Sequence, residues 1–136
     1  MIKFIVGKKG TGKTNKLIAE VNEAVKTDKG HLVFINDTSR HMFDLDYKVR
    51  LVDTQEYAIK NYDALYGMIC GILSQDYDIS TIFIDSVTKI VKEGDINLAE
   101  DDFAGIADVC EKHNANIIIT ASIDVDDVPE YMKKYI

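Results

Sequence analysis

The sequence predicts an α/β fold: a three-layer αβα sandwich with a mainly parallel sheet. Short apolar runs rich in β-branched residues alternate with longer stretches whose apolar residues recur at helical spacing. A glycine-rich turn, Gly7 to Thr14, lies between the first such run and the first helical stretch. Repeated strand–helix–strand units favour right-handed crossovers, a parallel sheet covered on both faces, and strand C-termini gathered at one edge. The 136 residues suit one domain, 1–136, and contain no internal repeat, low-complexity tract or linker.

Ile2-Lys3-Phe4-Ile5-Val6 forms the first expected strand, since β-branched apolar residues suit a buried sheet. Leu17, Ile18, Val21, Ala24 and Val25 then mark one face of a helix. Gly30 reads as its stop signal. Leu32-Val33-Phe34-Ile35 is a second strand, leading into the polar loop Asn36–His41, and Val49–Val52 is a candidate short strand. A long helix should follow, with Ala58, Tyr62, Leu65, Tyr66, Ile69 and Leu73 on one face and Thr54 as its cap. Ser80 to Ile84 is a strand ending at Asp85. A helix through Val87, Ile90 and Val91 then runs to Gly94. A further helix turns Phe103, Ile106, Ala107 and Cys110 inward before the strand Asn116–Ser122. Residues 129–136 fit a final strand and a short helix equally.

The turn Gly7-Lys8-Lys9-Gly10-Thr11-Gly12-Lys13-Thr14 has the pattern G-x-x-x-x-G-K-[ST]. Each residue type has a chemical reason. Gly7, Gly10 and Gly12 permit unusual backbone angles and close approach of phosphate oxygens. Loop amides and the start of the next helix make an anion nest. Lys13 supplies a point charge for β- and γ-phosphates, and Thr14 a hydroxyl for Mg²⁺. Asp85, at the tip of an apolar strand, is the candidate metal-supporting acid; the alternative is a cap for the following helix. Thr120 and Ser122 end another strand at the same edge, where they can approach a terminal phosphate or simply hydrogen-bond the strand end.

Composition narrows the partners. The net charge is −7, with acids clustered at 95–102 and 124–127, which argues against a broad nucleic-acid surface. Lys133-Lys134 is too little basic charge for a nucleic-acid or membrane tail. No apolar stretch approaches a membrane span, and residues 2–6 are too short for a secretory leader. Cys70 and Cys110 lack C-x-x-C spacing and read as buried reduced thiols, so a cytoplasmic protein is expected.

Together the two motifs resemble the P-loop NTPases. Ile82-Phe83-Ile84-Asp85-Ser86-Val87 resembles the Walker B segment of the RecA-like ATPases. The resemblance implies another strand between the Walker A and Walker B strands, with Thr120 beside the γ-phosphate. It also implies a water-activating glutamate, which this sequence lacks: Ser86 follows Asp85, and Asp37 is the acid after the second strand. Asp37 is thus a candidate base or a turn cap. The DNA-contacting loops of RecA-type recombinases and the helical lid of AAA+ proteins have no counterpart among these residues. Lys8 stands five positions before Lys13, as does the signature lysine of the ParA/MinD-type ATPases. It can equally face phosphate or solvent.

The function expected from these residues is Mg-ATP binding (ATP or another nucleoside triphosphate), with slow or assembly-dependent hydrolysis. Lys13, Asp37 and Thr120 are the candidate catalytic groups, and Thr14 and Asp85 the metal ligands. Arg40 and Arg50 are the candidates for an arginine supplied by a neighbouring subunit in a homo-oligomer. The alternatives are a non-hydrolysing switch, in which nucleotide orders residues 36–50 to change a protein interface, and a small-molecule kinase.

Overall fold

Alternation along the strands decides how the sheet is covered. The computed structural model describes residues 1–136 and contains one sheet in which every strand pairing is parallel. Its strands are β1 (Ile2–Gly7), β2 (His31–Asn36), β3 (Arg50–Asp53), β4 (Ile79–Ile84) and β5 (Asn116–Ser122), in the order β1-β5-β4-β2-β3. Ile2, Phe4, Val33, Ile35, Ile82, Ile84, Ile117 and Ile119 belong to one buried cluster, whereas Leu32, Phe34 and Phe83 belong to another. Successive strand residues point to opposite faces, so two clusters mean a sheet buried on both sides.

Four helices complete the layers: α1 (Lys13–Thr27), α2 (Tyr62–Ser74), α3 (Val87–Ile90) and α4 (Glu100–Lys112). Leu17, Ile18 and Val21 of α1 join Leu45 and Val49 on one face. Residues from α2, α3 and α4 cover the other, together with Met132. There Phe103 is fully buried, edge-on to Phe4 with ring centroids 5.0 Å apart, and 5.5 Å from the Tyr62 ring. No helix is long and apolar enough to cross a membrane.

Several expected boundaries shift, each for a local reason. The long helix starts at Tyr62, not near Thr54, because Asn61 Oδ1 accepts from the Ala64 amide at 2.9 Å and caps it. Ala58 therefore lies outside α2. Thr54 heads a single 3-10 turn, buried, its hydroxyl donating to the Asn36 carbonyl at 3.2 Å. Tyr66 is exposed rather than inward, and its ring lies over Gly105, where a Cβ would come within 2.9 Å of it. Gly30 does not stop α1 through a left-handed angle, since among the glycines only Gly10 and Gly12 have positive φ. It is needed for close approach: a Cβ there would meet the Ser80 Cβ at 2.5 Å. The helix after Asp85 is one turn ending at Ile90, well before Gly94. Residues 130–135 form a 3-10 helix, which resolves the ambiguity of the tail. Cys110 is buried and Cys70 half-buried; burial pushes the Cys110 thiol up to about 11, so its reactive thiolate is scarce.

Two tests follow from this packing. Phe103→Ala should cost about 3–5 kcal/mol, read from urea denaturation midpoints. The second concerns Asp102, in the first turn of α4. Burial, then a hydrogen bond with Asp63 and the charges of Asp63 and Asp101, push its carboxyl up to about 6. The folded protein thus keeps a proton that an ordinary carboxyl in the unfolded chain loses near pH ~4. The associated stability is present at low pH and is lost as pH rises from about 4 to about 6. Asp102→Asn should flatten that part of the stability profile and be the more stable protein above it. Denaturation curves across this range check the sign.

Candidate phosphate and metal site

The parallel topology brings the sequence motifs to one edge. Gly7 at the tip of β1 is in register with Ser122 of β5, and Ile84 of β4 with Ile119. Strand β5 therefore separates the Gly7–Thr14 loop from Asp85, as the RecA-like resemblance implies.

Beyond β1 the chain turns through Gly10 and Gly12, at φ +84° and +83°, values that strain any side-chain-bearing residue. Gly12 caps α1 in this left-handed conformation, leaving the first amides of the helix free of side-chain acceptors. Free amides at a helix start, with the positive dipole end, attract an anion. Lys13 Nζ folds back over the loop, donating to the carbonyls of Gly7 at 2.9 Å and Lys8 at 2.8 Å. Its pKa is lowered, chiefly by burial; the nearby Asp85 charge works against this, and that of Lys89 adds to it.

Asp85 is 2% exposed and is held on both oxygens. Oδ2 accepts from the Thr14 hydroxyl at 2.8 Å, and Oδ1 accepts from the Thr120 hydroxyl at 2.8 Å. Asp85 does not cap α3: the cap position is Ser86, in left-handed conformation at φ 59°. The Ser86 amide donates to Thr120 Oγ1 at 2.7 Å. Thr120 is fully buried, and its hydroxyl both aims the carboxylate and holds the strained residue after it. No buried side-chain polar atom is without a partner.

Facing the loop is a cleft of about 380 Å³ with no hydrophobic residue in its lining. Lys9, Lys13, Arg40, His41 and Lys89 contribute to its wall, along with Thr14, Ser86 and Ser122. Among the expected site residues, Gly10, Gly12, Lys9, Lys13 and Thr14 line it. Lys8 instead turns to Asp124, 3.3 Å away. Asp37 lies at the tip of β2, outside that lining, its amide held by Asn36 Oδ1 at 2.8 Å. Lys89 and His41 carried no sequence motif. Lys89 sits on a one-turn helix and His41 on an irregular loop, so no periodicity marks which way either points. Arg50 is in β3, lining a different hollow of about 460 Å³ at the far sheet edge.

Flagellar accessory protein FlaH from Methanocaldococcus jannaschii has a similar structure, with a TM-score of 0.64 over 98% of this chain and 65% of that one. The fold is RecA-like. At 12% identity the likeness is one of fold alone, and the chain spans just under two thirds of that relative's length. No protein-family model and no curated protein matches the sequence.

Thr120→Val keeps the shape but orphans a buried carboxylate oxygen and an amide. It should cost about 1–3 kcal/mol in urea denaturation. Thr120→Ser, which retains the hydroxyl, should recover most of it.

Proposed function

We propose that the chain binds a Mg-nucleoside triphosphate, ATP being the first candidate, and hydrolyses it slowly. The observation that carries this reading is the Thr14–Asp85 hydrogen bond, which joins the phosphate loop to the acid of a second strand. A hydroxyl and a carboxylate are hard oxygen donors, the set Mg²⁺ prefers. Thr14 and Asp85 would hold the ion, which would supply charge neutralisation between the outer phosphates. The cationic cleft of an otherwise acidic chain, lined by no hydrophobic residue, supports a polyanionic ligand.

The residues divide the work. Gly7 to Thr14 cradle the phosphates through amides, and Lys13 would exchange its carbonyl partners for phosphate oxygens. Because Lys13 is already poised over the loop, little reorganisation is needed. In hydrolysis, water oxygen bonds to the terminal phosphorus as the bond to the bridging oxygen breaks, and the diphosphate leaves with that electron pair. The water proton must pass to a base. Asp37 is the candidate acid beyond β2, and Thr120 acts through Asp85 rather than on water, given its full burial. With no glutamate beside Asp85, turnover should be slow.

Steady-state phosphate release from the pure protein with MgATP tests this. Lys13→Ala and Asp85→Ala should each lower the rate about 100-fold or more. If both leave it unchanged, the site is wrong. Tight ATP binding with no release at any protein concentration would favour the non-hydrolysing switch. Transfer to an added alcohol or nucleoside would favour a kinase.

A further inference from the structure

Four lysines outside the cleft have carboxylate partners: Lys8 with Asp124, Lys26 with Glu23, Lys112 with Asp108 and Lys133 with Glu130. The cations of the cleft do not. Lys9, Lys13, Arg40 and Lys89 form no ion pair within 4 Å, and no carboxylate shares the lining with them. Four like charges gathered in one cleft repel one another, and an anion bound there would relieve that repulsion.

The cations come from three separate segments. Lys9 and Lys13 belong to the phosphate loop at the β1 tip, Lys89 follows β4, and Arg40 follows β2. Given the order β1-β5-β4-β2, Lys89 follows the same strand as Asp85, two strands from the one that carries the loop, and Arg40 follows the strand beyond it. A phosphate chain seated in the loop with its metal at Asp85 would direct its last phosphate toward them. Arg40 is also positioned in advance. Its Nε donates to His41 Nε2 at 3.2 Å, which puts the imidazole proton on Nδ1, facing Asp44 Oδ2 at 3.1 Å. The terminal guanidinium nitrogens remain free to fork onto a phosphate.

We propose that Arg40 and Lys89 grip the terminal phosphate from within the same chain, so that the cleft selects triphosphate over diphosphate without a cation from a neighbouring subunit. This rests on the nucleotide-binding reading above and adds to it the residues that sense the last phosphate. His41 is a positioning residue for Arg40.

The test is titration calorimetry with a non-hydrolysable Mg-ATP analogue and with Mg-ADP, on the full chain. The parent should bind the triphosphate at least 10-fold more tightly. Arg40→Ala and Lys89→Ala should each lose about 10-fold for the triphosphate and little for ADP, while Arg40→Lys loses less. His41→Ala should weaken the triphosphate in the same selective manner. Arg50→Ala, outside the cleft, should change neither. Equal effects on both nucleotides, or none, overturn the proposal while leaving the nucleotide site intact. Selectivity that appears only as protein concentration rises also overturns it, because the cation would then come from a neighbour. If neither nucleotide binds the parent protein, the functional reading itself fails.

Discussion

A single buried carboxylate ties this structure together. Asp85 ends the central strand β4 and accepts hydroxyls from two threonines that lie far away in sequence. One begins α1 and the other lies in β5, so its two oxygens fix the helix after the glycine-rich loop to the strand beside it. A buried charge without partners would be strongly unfavourable, and satisfying both oxygens is what lets it persist at 2% exposure. The geometry also presents hard oxygen donors at the only edge where all the strand C-termini meet.

The strand order explains why these groups meet at all. Strands β1 and β4 are not neighbours; β5, the last to be made, lies between them. In the folded sheet the acid and the loop therefore lie on either side of a strand from the C-terminal third of the chain. Such non-local pairing is slow to form, since loop closure precedes the contacts that reward it. It also couples the site to the whole core, from Phe4 and Phe103 on one face to Phe34 and Phe83 on the other.

What was legible in the sequence depended on range. Apolar runs and the Gly7–Thr14 motif are local signals, and they located all five strands and the glycine-rich turn between β1 and α1. Helix starts were less legible because several residues can cap. Thr54 and Asn61 both qualify, and only the hydrogen bond from the Ala64 amide chooses between them. Gly30 looked like a helix stop but answers to Ser80, fifty residues later, a steric fact no local pattern carries. Thr120 was expected beside a phosphate, and its hydroxyl is instead spent on Asp85 and the Ser86 amide. Lys89 carried no motif, and Arg40 was expected to serve a neighbouring subunit; their convergence on one cleft is a property of strand order, not of spacing.

That order leaves one further mark. Strand β1 leads into the glycine-rich loop yet ends the sheet, pairing with β5 on one side only. The unpaired backbone groups of an edge strand are a template onto which a strand of another molecule can add, the usual seed of aggregation. Lys3 stands mid-strand and exposed between buried Ile2 and Phe4. Docking a second strand there would strip water from its ammonium. The lysine therefore disfavours edge-to-edge pairing at this strand.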